Sequence, residues 1–233
     1  MTMGMEETMF GWKNTTARMH HRSAEITGAY DGGLAAQTHG MMAGTVVASN
    51  LGWRAIESLA AGDMVLTFDN GMQEIVEIRR MTFWTDAPDT PRAQWPVIVP
   101  VGALENRQEL TLLADQGVLV ESDAASDIYG DPFAVVPAHA LEGLRGIYRA
   151  VPQQQIELIA IYFEQEQVIY AEGGALVHCP ANTTALDAFI ATEGGAYDVL
   201  APVDAAYLAE RMGLEDQIQA TGGRTGAPMA AYC

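Results

Sequence analysis

The sequence predicts an all-β domain of mostly antiparallel strands followed by short helices. Three observations predict it. From Gly44 onward the chain falls into short strand-like runs, among them the alternating Asp63–Phe68. Turn residues interrupt those runs every ten residues or so. No long amphipathic helix occurs before Val203.

The elements follow in order. Residues 1–38 mix polar residues, Gly and Met without periodicity and read as a largely disordered tail with a short helix near the start. Thr45-Val46-Val47-Ala48 reads as a strand, Asn50-Leu51-Gly52 as a turn, Trp53–Ile56 as the returning strand and Glu57-Ser58-Leu59 as one helical turn. Asp63–Phe68 alternates, with Met64, Leu66 and Phe68 on one face and Val65 and Thr67 on the other. Asp69-Asn70-Gly71 carries the Asn-Gly hairpin signal, and Met72–Met81 is the return strand with Ile75 and Val76 at its apolar centre. Further strands are expected at Pro96–Val101, Leu110–Leu113, Val118–Glu121, Ala134–Pro137, Ile156–Phe163 and Gln167–Ala171, and a helical turn or two at Pro137–Leu141. The acid-rich stretch at 121–131, ESDAASDIYGD, reads as a solvated loop, because it lacks the alternate carboxylates of a calcium loop. A short helix is expected over Thr184–Ile190 and a second over Asp204–Met212, capped by Asp204 and ended by Gly213. The resulting division is a tail over 1–38, a β-domain over 39–182, a helical extension over 183–215 and a disordered tail over 216–233.

Size and composition bound the function. A chain of 233 residues, 49% of them hydrophobic, supports one sizeable domain. No apolar run approaches the roughly 20 residues that cross a bilayer, and the acidic start does not resemble a signal peptide. The expectation is therefore no membrane insertion, with a cytoplasmic location by default or export without an N-terminal signal. The formal charge is −18, from 12 basic and 30 acidic residues, and Lys13 is the single lysine. Such a surface repels phosphate backbones, so nucleic acid is not an expected partner; a protein of unknown identity is. The cysteines, Cys179 and Cys233, form no metal or disulfide pattern, and His20-His21 reads as incidental, so neither metal nor cofactor is expected.

Three segments together resemble the Hint domain, the all-β module of hedgehog C-terminal regions and inteins. Residues 44–78, GTVVASNLGWRAIESLAAGDMVLTFDNGMQEIVEI, resemble its opening: Gly-Thr, a strand, a turn, a short helical element and a hairpin. Residues 109–123, ELTLLADQGVLVESD, are placed like the family's strand that precedes a catalytic histidine, and residues 167–180, QVIYAEGGALVHCP, resemble the closing strand pair ending in Val-His. Between them, residues 133–147, FAVVPAHALEGLRGI, resemble the family's connector. The resemblance spans about residues 40–180, is nearest to bacterial stand-alone Hint domains, and implies a pseudo-two-fold β-fold.

It also implies self-processing chemistry. A Cys or Ser at the front of the first strand attacks the preceding carbonyl. A Thr-x-x-His motif polarises that amide and protonates its nitrogen, and in inteins a closing His-Asn then cleaves the chain. The equivalent positions here read Gly40 for the nucleophile, Ala114 and Gly117 for the Thr and His, and His178-Cys179 for the closing pair. Met41, Met42 and Ala43 offer no substitute, so only His178 is retained. Two readings follow: a non-catalytic scaffold or interaction module, or residual self-cleavage drawing on displaced groups such as His178 and Cys179. A third, a passenger or accessory of an unconventional export system, rests on the acidic composition and on that resemblance. Thr45 lacks a nearby base, and adjacent strand residues such as 178 and 179 point to opposite faces, which argues against a dyad. His139 reads as a packed or surface residue, and Trp53, Trp84 and Trp95 as residues that pack the β-domain and its proline-bearing loop.

Overall fold

The hairpin signal at Asn70-Gly71 is realised in the computed structural model, which describes residues 24–29, 38–85, 90–181 and 197–222. Strand β5 (Met64–Thr67) returns as β6 (Gly71–Glu74). Gly71 takes φ +64°, where a side chain would be strained, and Thr67 Oγ1 donates to the Gly71 carbonyl at 2.8 Å. The inward face of β5 is Val65 and Thr67; the threonine is buried because its hydroxyl ties this turn.

Among the described residues two sheets form. The first has seven strands in the order β1 (Ala24–Ala29), β7 (Glu77–Trp84), β13 (Gln155–Tyr162), β2 (Met41–Met42), β9 (Leu110–Leu112), β8 (Val97–Val99) and β12 (Tyr148–Arg149). The second has eight: β11 (Phe133–Pro137), β10 (Gly117–Glu121), β15 (Ala175–Cys179), β14 (Gln167–Ala171), β3 (Val46–Ser49), β5 and β6, with β4 (Gly52–Ala55) beside β3. Strand pairing is antiparallel throughout the two sheets except for β1 with β7. The main core lies between them and includes Leu110, Ile147, Ile161, Phe163, Ile169 and Val177.

The expected single strand Met72–Met81 is divided at Ile75-Val76. There the chain leaves one sheet for the other: Ile75 N–H donates to the Asp63 carbonyl, and Val76 N–H to that of Tyr162. Ile75 is fully buried at this crossing, so the apolar pair marks a passage through the core.

Several expectations need correction. Residues 24–29, assigned to a disordered tail, form β1, paired in register from Ala24↔Glu77 to Ala29↔Thr82. The acid-rich loop contains helix α1 (Asp123–Tyr129). Ser122 Oγ accepts from the Ala125 amide at 3.0 Å, and Gly130 closes the helix at φ +79°. Helix α2 (Pro202–Gly222) runs through Gly213 and into residues assigned to the disordered C-terminal tail. Gly213 packs near Leu144, and the Arg145 guanidinium grips both Asp216 carboxylate oxygens at 2.8 Å one turn later. Trp53 is exposed rather than packed, while Trp95 is half-buried and donates to the Thr90 carbonyl. The side chain of Trp84, the helix expected at Thr184–Ile190 and the remaining parts of both tails lie outside the described residues.

Candidate functional site

The two-residue strand β2 is held between β13 and β9, with Met41 opposite Ile159 and Leu112. Gly40 precedes it, buried, at φ +132°. A Cβ there would lie 2.9 Å from Leu158 Cγ, so both backbone and surroundings favour glycine.

The Gly40 amide donates to Gln116 Oε1 at 2.8 Å. The same carboxamide donates through Nε2 to the Gly117 carbonyl at 3.0 Å and the His178 carbonyl at 2.7 Å. One buried side chain thus joins the front of β2, the start of β10 and the end of β15. The amide nitrogen at 40 thus meets a carbonyl oxygen, a group that only accepts.

Gly117 does not face Gly40. A Cβ on it would meet His178 Cβ and Val135 Cγ1 at 3.1 Å and His178 Nδ1 at 3.2 Å. Ala114 is buried, and its carbonyl accepts from the His139 amide at 2.8 Å, with His139 Nδ1 3.0 Å away. His139 Nδ1 also lies 3.2 Å from Asp115 Oδ1.

The closing pair separates as strand alternation requires. His178 turns toward a cleft, where its Nε2 lies 3.3 Å from Glu166 Oε2. Burial lowers the His178 pKa, and Glu166 opposes that shift by hydrogen bond and charge. Glu166 Oε1 accepts from the Tyr197 amide at 3.0 Å, and the Tyr197 hydroxyl donates to Asp69. Cys179 points into the main core, where burial pushes its thiol up to about 12. No His178–Cys179 dyad is assembled, and Cys179 is not a thiolate near neutral pH. Thr45 is buried at the turn after β2, its amide donating to the Met42 carbonyl at 3.1 Å.

His39 enters the site beside Gly40. Arg79 Nη1 donates to the Tyr162 hydroxyl at 3.0 Å, and that hydroxyl lies 2.8 Å from His39 Nε2. A guanidinium only donates, so the tyrosine oxygen accepts from it and keeps its own proton for a neutral His39. Burial first, then Arg79 and His178, lower His39 to about 4. His39, Asp115, Gly117, His139, His178 and Leu200 are among the residues lining one cleft of about 340 Å³. Among the described residues no three His, Cys, Asp or Glu side chains are grouped to hold a metal ion.

Residue-by-residue reading of the sequence missed Gln116, His39 and Tyr162. For Gln116 a signal existed: a carboxamide inside LLADQGVLV must be buried, and a buried carboxamide needs partners.

The pattern that defines the Hint domain matches residues 39–176. In three dimensions the chain is similar to a bacterial intein-like domain from Clostridium thermocellum, at 14% identity and a TM-score of 0.43, over 61% of this chain and 99% of that one. It is also similar to the gp41-1 intein, at 18% identity and a TM-score of 0.36, over 60% and 97% of the two chains. No curated protein matches the sequence.

Proposed function

The chain belongs to the Hint domain family, and we propose that it is a member without self-cleaving activity, acting as a protein-interaction module. The observation that carries this reading is the Gly40–Gln116 hydrogen bond. In the family's chemistry a nucleophilic side chain at the first position attacks, and an imidazole in the middle strand protonates the departing nitrogen. Here the first position has no side chain, and the group at that nitrogen is an amide carbonyl. Neither supplies a nucleophile or a general acid.

On this reading Gln116 stands at the position of the family's histidine, with Leu113 three residues before it in place of the threonine. That register replaces Ala114 and Gly117 as the equivalent pair. It is supported by the direction of the two side chains, Gln116 toward Gly40 and Gly117 toward His178.

The alternative, residual cleavage through His178 and Cys179, has little support. It needs a thiolate, whereas the thiol is in the core and raised to about 12. Purified chain incubated with dithiothreitol or hydroxylamine for days and weighed under denaturing conditions separates the readings. An unchanged single mass is expected. Fragments broken after His39 support family chemistry, and fragments broken near His178-Cys179 support the displaced site.

A further inference from the structure

Helix α2 has two apolar faces. Ala205, Leu208 and Met212 are buried against the β-domain, and that face accounts for the docking of the helix. Half a turn away, Val203, Tyr207, Leu214 and Ile218 recur at spacings of four, seven and four, which places them in one stripe at about 100° per residue. The stripe faces outward: Val203 is 80% exposed, Ile218 69% and Tyr207 51%. A helix whose only task is to cover the domain carries polar residues there.

Helix α1 widens the patch with exposed Ile128 and Tyr129. Helices α1 and α2 are in direct contact, and burial, then Asp204 and Tyr207, raise the Tyr129 phenol in keeping with that contact. Contiguous apolar surface of this kind marks a contact site, and tyrosines are frequent anchors in such sites.

The rim specifies the occupant. Asp127 and Asp131 lie at α1, and Asp204 and Glu210 flank the stripe on α2, whose one base is Arg211. A second copy of the chain fits poorly. An antiparallel two-fold pairing about the middle of the stripe, between Glu210 and Arg211, sets Glu210 against Glu210 and Arg211 against Arg211. A basic partner neutralises the rim instead. We propose that the α1–α2 face docks a basic amphipathic helix of another protein, its apolar side chains on the stripe and its Lys or Arg side chains on Asp127, Asp204 and Glu210. This rests on reading the chain as an interaction module and names the surface that module uses.

The probe is a fluorescent synthetic helix of about five turns, with Leu at three- and four-residue spacing and Lys on its flanks. Its partner is the full chain. Micromolar binding is expected, with a loss of about tenfold or more in the Tyr207→Ser/Ile218→Ser variant and no binding by the same peptide with Glu for Lys. Both substituted positions are exposed, and circular dichroism verifies the fold. Undiminished binding to the double variant overturns the proposal, since that is attraction to net charge alone. Absence of binding also overturns it, as does a chain dimer dispersed by the double substitution, or binding of the chain to neutral lipid vesicles. Intact mass recorded on the same samples keeps this result separate from the cleavage reading, because a chain that binds no peptide can still be uncleaved.

Discussion

Gln116 satisfies the Gly40 amide with its oxygen and the carbonyls of Gly117 and His178 with its nitrogen. Gln116→Leu keeps the bulk and leaves those buried groups unpaired, which should cost about 3 kcal/mol. Urea unfolding should show a lower midpoint at unchanged slope; a loss below about 1 kcal/mol would mean the carboxamide is not the tie argued here. His39 carries a pH dependence. Its folded pKa, near 4, lies below the unfolded value of 6.5, so the unfolded chain binds more protons between them and stability is lost as the pH falls through that window. From pH 7 to pH 5 the loss assigned to this residue is about 2 kcal/mol. The depressed His178 adds in the same direction. The difference between the native chain and His39→Gln, measured at both pH values, isolates the first contribution; an equal difference at both would refute it. The proposed register makes a third prediction. Gly40→Cys with Leu113→Thr and Gln116→His, plus Leu158→Ala to admit the new side chain, should cleave after residue 39 in hydroxylamine about 10²–10⁴-fold faster than the variant lacking the imidazole. Moving that imidazole to position 117 should give no such gain, because it meets His178 and Val135.

At the level of elements, tight packing shows in the turn between β14 and β15. A Cβ on Gly174 would fall inside contact distance of the Glu105 carbonyl, whereas one on Gly62 meets nothing within 4 Å. Both Ala variants lose stability, but Gly174→Ala should lose more, by about 2 kcal/mol beyond the roughly 1 kcal/mol of backbone strain at Gly62 (φ +96°). Thermal melts that rank them the other way would count against this packing. The same elements show what the sequence can reveal. Strand β14 falls at its expected residues, Gln167–Ala171, because a short apolar, β-branched run lies between the polar stretch at 164–166 and the Glu-Gly-Gly turn at 172–174. The division at Ile75-Val76 was hidden, since an apolar pair reads alike in a strand and at a crossing between sheets. Helix α1 did carry local signals, Ser122 as cap and Gly130 as terminator, but its acidity drew the reading toward a loop. Strand β1 has only six residues and gains its order from the long partner β7, which no local pattern announces. The register of the site was obscure for a related reason. Which of two adjacent residues faces Gly40 depends on the start of β10, and one residue of slip exchanges Gln116 for Gly117.

Over the whole molecule, the stretch at residues 24–29, ahead of Gly40, is built into the domain. Through β1 it adds an edge strand to the first sheet, so a break after His39 would leave the upstream piece paired to β7. Size exclusion under native conditions is therefore a poor reporter of cleavage, and only a denaturing readout counts. The charge of −18 belongs to the same scale: it disfavours phosphate surfaces and favours a basic partner. The account turns on whether the bond between His39 and Gly40 survives. Intact mass of the full chain under denaturing conditions, followed over days at neutral pH with and without hydroxylamine, tests this most directly. A single species at 25.0 kDa throughout is the predicted result. A pair of fragments that grows with time and divides the chain after His39 would contradict it.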